Sequence, residues 1–152
     1  MANIVYNRGK FIVGTVDMTG TTFRLMLVST GYVENQDHNT VDDGTTSDPL
    51  SYEIGVGGYS RQNVTLSSFE DDTNDFAGLD ATDKTFSALL AGATIGGAVL
   101  YRYSTSGGTT SDTGQDLISF YDVTDTPTNG GDITIQWAST SAGGVLKLGT
   151  TS

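Results

Sequence analysis

The chain has 152 residues, enough for one domain with its own core, and no cysteine, which excludes disulfides, thiolate chemistry and cysteine-ligated metals. Its 18 acidic and 7 basic residues give a net charge of −11, the wrong sign for gripping a nucleic-acid backbone or an anionic membrane surface. Charged residues are only 16% of the chain while glycine numbers 20, and with abundant serine and threonine this mixture suits many short strands and turns.

In chain order, the start is locally basic: residues 1–24 hold Arg8, Lys10 and Arg24 against Asp17 alone. These three cations are candidate contacts to an acidic partner; the plainer alternative is a solvated terminus with scattered charge. Residues 1–10 show no cationic stretch running into an apolar one, so synthesis in the cytoplasm without a secretory signal is expected. They read as an extended arm preceding a single domain over 11–149. Residues 11–18 are apolar around Gly14 and fit either a first strand or one short helical turn.

Phe23-Arg-Leu-Met-Leu-Val28 alternates Phe23, Leu25 and Leu27 with Arg24, Met26 and Val28, the period-two pattern of a strand. From Ser29 to Pro49 the chain turns polar and acidic, which predicts a long loop carrying little core, with Asp37 placed to cap a short helix through Val41. Tyr52–Val56 alternates again and is expected to pair either with Asn63–Leu66, across Gly57-Gly58-Tyr59, or with another neighbouring strand. The run Glu70-Asp-Asp-Thr-Asn-Asp75 marks a surface turn, followed by short strands over Phe76–Leu79 and Thr85–Ala88.

Fourteen residues from Ala88 to Tyr101 pass without a charge, too few for a membrane-spanning helix, which needs about twenty. Gly92, Gly96 and Gly97 weaken a helix by roughly 1 kcal/mol each, so the run reads as a turn or bulge feeding a central strand, Ala98–Tyr103. Val99, Tyr101 and Tyr103 point to one face and Ala98 and Leu100 to the other, so both faces should be covered. Residues 104–116 are a Ser/Thr/Gly-rich stretch expected to form an exposed connection. Leu117–Val123, Asp132–Trp137 and Val145–Leu148 complete the strands. Ile133, Ile135 and Trp137 share one face.

Chemical motifs are few. The single histidine, His38, lies in the polar loop and no serine sits in a nucleophile-elbow pattern, so a Ser-His-Asp arrangement has no support. Gly55–Ser60 opens no helix and is not a phosphate loop. The acidic run at 70–75 lacks the spacing of a calcium loop. Tyr32, Tyr52, Tyr59, Tyr101, Tyr103 and Tyr121 suggest a sugar platform, although tyrosines in strands more often serve core or interface. No catalytic residue, cofactor or metal is expected.

Several phrases keep a recognisable order: Phe23–Val28, the Tyr-x-x-Asn-x-Asp-His sequence at 32–38, Gly58-Tyr59, Gly97-Ala-Val-Leu-Tyr101 and Thr134-Ile-Gln-Trp137. Over most of residues 8–148 this order resembles a group of small virion structural proteins of tailed bacteriophages. The resemblance implies an all-β module, a β-sandwich or jelly-roll-like fold with long polar loops and no active site. It also implies a capsid decoration (cement) protein on the outer virion surface, bound to the major capsid protein and often trimeric. The alternative is a tail or head-fibre module that binds host carbohydrate or an adjacent tail protein.

Overall fold

The uncharged run forms the middle of the molecule. In a computed structural model, which describes residues 3–104 and 111–148, Thr94–Arg102 is strand β7. It is the central member of a five-stranded sheet whose other strands are β1 (Ile4–Val5), β2 (Phe23–Ser29), β3 (Gln62–Val64) and β8 (Leu117–Pro127). Their order is β1-β8-β7-β2-β3. A three-stranded sheet, β10-β5-β4, joins Leu146–Leu148, Phe76–Asp80 and Ser67–Asp71, and a pair joins β6 (Lys84–Phe86) to β9 (Ile133–Ile135). All strand pairings among the described residues are antiparallel, and the fold is all-β apart from one α-helix and short 3-10 turns.

The alternation read in β7 and β2 assigns side chains to two cores. Ala98 and Leu100 join Phe23, Leu25 and Leu27 on one face; Val99 and Tyr101 join Met26 and Val28 on the other. The first face is covered by Leu79, Phe86, Ile135, Val145 and Leu146, on or beside the strands of the two smaller sheets. Full burial of side chains this size contributes roughly 1.5–3 kcal/mol each, so the central sheet depends on both covers. Gly97 sits where β7 shifts register against β8, and a side chain there would collide with the Phe120 ring. The predicted bulge is therefore real, and its glycine makes room for an aromatic.

Several expectations are corrected. Residues 4–10, read as an extended arm, are folded: Ile4 and Val5 pair with Phe120 and Ser119, and Asn7–Thr15 forms helix α1. Propensity does not explain α1, which holds two glycines and several β-branched residues. Packing does. Ile12 is buried in the first core, and Gly9 lies so close to the Ile118 carbonyl that any side chain would clash. The Asn7 amide, free within the helix, is satisfied by the Gln36 carbonyl at 3.0 Å.

Tyr52–Val56 is not a strand. Asp48 caps a 3-10 turn over Pro49–Tyr52 by accepting from the Ser51 amide at 2.9 Å, and only Glu53 makes an isolated bridge, to Val28. The pairing expected for Asn63–Leu66 goes instead to β2. The helix expected over Asp37–Val41 is absent. The loop expected to carry little core contributes Tyr32 and Val41 to the second core, with Leu50 and Tyr52 packed against it. Of the connection at 104–116, residues 105–110 lie outside the described residues, while Gln115 and Asp116 are buried. The acidic run does form a turn, closing the β4–β5 hairpin.

Candidate functional site

The second face of the central sheet is closed by loops that hydrogen-bond to one another. Val41 and Asp42 donate to the carbonyls of Gln115 and Asp112 at 3.0 and 3.2 Å, Leu117 donates to Asn39 at 2.9 Å, and Thr40 bridges Asp116. Residues 39–42 and 112–117 are thus zipped into one cover, anchored to the sheet by two arginine clusters.

Arg61, directly before β3, has an acceptor for each of its five donors. Its Nε and Nη2 donate to Glu53 at 2.7 and 2.6 Å, its Nη1 and Nη2 to Asp112 at 2.6 and 3.1 Å, and its Nη1 also to the Tyr101 hydroxyl at 3.2 Å. Tyr59 donates to Glu53 at 2.7 Å while accepting from the Leu27 amide at 3.1 Å. Burial opposes the Arg61 charge, but its hydrogen bonds to the Glu53 and Asp112 carboxylates outweigh it and raise its pKa. Burial, reinforced by Glu53, also raises the pKa of Tyr59. The bidentate geometry fixes the direction of both carboxylates and ties residue 112 to the sheet.

In the second cluster the buried Asp116 carboxylate accepts from Arg8 Nε at 2.7 Å and Arg102 Nη2 at 2.6 Å. Arg8 is therefore a strut between α1 and the cover rather than a free contact. Arg24 is also engaged, with Nε donating to Asn63 at 2.9 Å and its guanidinium 3.7 Å from the Tyr103 ring centroid. Of the three candidate contacts only Lys10 remains well exposed; its Nζ donates to Asn7 at 3.2 Å, and its neighbour Phe11 is 58% exposed.

His38 is buried, with Nε2 3.8 Å from Asp43 and Nδ1 without a hydrogen-bond partner. The tyrosines do not form a sugar platform: Tyr32, Tyr101 and Tyr121 are buried, and the Tyr32 hydroxyl shares a 2.7 Å hydrogen bond with that of Tyr6. Among the described residues no group of His, Asp and Glu side chains is placed to hold a metal ion, and no helix is long and apolar enough to cross a membrane. Asp71 of the acidic run accepts from the Asn74 side chain and from the Thr73 and Asn74 amides, which lowers its pKa and fastens the hairpin turn.

What the arrangement does chemically is hold geometry. Asp112 lies 51 positions from Arg61 and Asp116 lies 108 from Arg8, so no local pattern revealed them, while Glu53, eight residues before Arg61, sits in a stretch that reads as a strand. The one available signal was scarcity: there are four arginines among eighteen carboxylates, and three of them, Arg8, Arg61 and Arg102, take acidic partners. Comparison of the chain with family models, curated proteins and solved structures finds no match.

Proposed function

We propose that this chain is a non-enzymatic structural protein of a tailed-bacteriophage virion. It binds the outer surface of the major capsid lattice as a decoration protein, as a homo-oligomer with a trimer favoured, and stabilises the shell. In this reading the five-stranded sheet and the smaller sheets covering its first face act as a sandwich or jelly-roll-like body. The observation that carries the reading is the doubly clamped loop cover. Arg61 and Asp116 fix residues 111–116 against the loop at 39–42 and the sheet, and a fixed surface loses less entropy on docking than free loops do.

The order of strand and turn phrases in the sequence supports the same assignment. A protein that binds only the assembled shell stabilises it by mass action, so the decorated shell should resist heat and chelators better than the bare one. Cryo-electron microscopy of virions carrying this gene product tests the proposal. Density fitting the chain on the outer capsid lattice is expected; density confined to the tail, or none on the particle, overturns it.

A further inference from the structure

The first core opens at one side of the molecule into a groove of about 440 Å³ between β1, β8 and the segments following β9 and preceding β10. That volume falls within the range of about 300–1,000 Å³ typical of small-molecule sites. Its wall is aromatic and rigid. Trp137, half-exposed, is held at three points: its amide donates to Asp83 at 3.0 Å, its Nε1 donates to the Thr82 carbonyl at 3.0 Å, and Tyr121 meets it edge-on at 4.9 Å between centroids. Tyr121 is fixed in turn, donating to the Val145 carbonyl at 2.8 Å and accepting from Ser119 at 2.7 Å.

With its indole N–H already satisfied by the Thr82 carbonyl, Trp137 lines the groove as an apolar aromatic whose orientation is set before any ligand arrives. The exposed side chains Gln136 and Asn3 stand at the rim, and each amide can donate and accept. The one basic residue lining the groove, Lys147, directs its ammonium over the Phe76 ring, 4.1 Å from the centroid. The chain as a whole is strongly acidic. An anionic ligand is therefore disfavoured.

We propose that this groove binds a neutral saccharide. The C–H face of a pyranose rests on the Trp137 indole and its hydroxyls exchange hydrogen bonds with Gln136 and Asn3. The inference stands apart from the capsid assignment, because it concerns isolated protein and holds wherever the chain sits.

Trp137 is the chain's single tryptophan, so its emission reports directly on the groove. Titration of the purified protein with maltotriose, cellotriose and tri-N-acetylchitotriose should give a saturable change in emission for at least one sugar. Backbone amide shifts in the NMR spectrum should concentrate at Asn3, Gln136 and Trp137. Gln136→Ala, at an exposed position, should weaken binding by about fivefold, as expected for one lost hydrogen bond, with an unchanged melting temperature. Trp137→Phe, followed by calorimetry, should weaken it further. No saturable response to any of the three sugars overturns the proposal, as do shifts mapping away from the groove or tighter binding of an acidic sugar than a neutral one. Loss of capsid occupancy with sugar binding intact would sink only the capsid assignment.

Discussion

The two faces of the central sheet are equally dry but closed by different means. On one, Leu25, Leu27, Ala98 and Leu100 meet side chains from the two smaller sheets and their flanking segments, and contact is spread over nineteen buried residues. On the other, Met26, Val28, Val99 and Tyr101 meet loop residues such as Tyr32 and Val41, in a cluster of nine. Contacts between strands are repetitive, and losing one leaves the others in register. A loop cover has no ladder of its own, so a few ionic clamps must specify its position. The first face should fail gradually under mutation, and the second at particular residues.

The largest expected effects test whether both faces are sealed. Leu100→Asp places a carboxylate among fully buried apolar groups on the strand-covered face, and Val99→Asp does so on the loop-covered face. A domain is stable by only about 5–15 kcal/mol and an unpaired buried charge removes a large part of that, so neither variant should fold. Circular dichroism and solubility decide. A folded Val99→Asp beside an unfolded Leu100→Asp would show that the loop cover admits water.

Next comes the clamp. Arg61→Ala leaves Glu53 and Asp112 adjacent, largely buried and unpaired, at a cost of about 3 kcal/mol. Replacing the triad together, as Arg61→Met with Glu53→Gln and Asp112→Asn, should recover most of that loss. Amide exchange sharpens the comparison. The Val41 and Asp42 amides, bonded to Gln115 and Asp112, should exchange faster in Arg61→Ala, while the Val145 amide, bonded to Leu79 on the strand-covered side, should not. Equal acceleration everywhere would mean that the two faces unfold as one unit.

The same contrast explains what the sequence disclosed. Period-two alternation assigned Val99 and Leu100 to opposite faces and placed Phe23, Leu25 and Leu27 together, because a pleated strand leaves side chains no other choice. It failed where single contacts decide. Helix α1 exists because Gly9 fits against Ile118, more than a hundred residues away; local propensity reads its residues through Lys10 as an arm and 11–18 as either a strand or one short helical turn. Tyr52–Val56 alternates convincingly, yet Asp48 and Pro49 set up a 3-10 turn that removes it from any ladder. The stretch at 29–50 looked exposed because Tyr32 and Val41, which it buries, stand singly among polar neighbours, and residues 111–116 because Asp112 and Asp116 are held by paired charges, which composition counts as surface. The groove was hidden for the opposite reason: Trp137 was legible as a core residue, and only the gap beside it makes it a wall.

Alkaline pH should loosen the loop-covered face by a separate route. Burial raises the pKa of Tyr32 from 10.0 to about 12, and burial next to Tyr32 raises that of Tyr6 further. Both phenols ionise more easily in the unfolded chain, so their contribution is complete below about pH 10 and is lost as pH rises, at about 1.4 kcal/mol per pH unit for each tyrosine. Tyr6→Phe combined with Tyr32→Phe should flatten the fall in melting temperature between pH 10 and 12. An unchanged slope would place the alkaline sensitivity elsewhere, with buried Tyr121 on the strand-covered face the next to test, since burial raises its pKa too.

The smallest expected effect on stability falls outside both cores. Lys10 and Phe11 project from α1, whose residues through Lys10 belong to the stretch read from sequence as a docking arm, and Phe11 remains 58% exposed although the Arg8 guanidinium lies 5.3 Å from its ring centroid. Arg8 itself belongs to the Asp116 clamp, so changing it would confuse docking with folding. Lys10→Glu with Phe11→Ser avoids that overlap: surface changes of this kind stay within about 0.5 kcal/mol, so the melting temperature should hardly move. If the helix face is the capsid contact, the same pair removes a cation and an aromatic anchor together, and occupancy on purified particles should fall by about tenfold or more. Unchanged occupancy would move the contact away from α1, leaving the N-terminal segment a purely structural role in closing the sheet edge at β8.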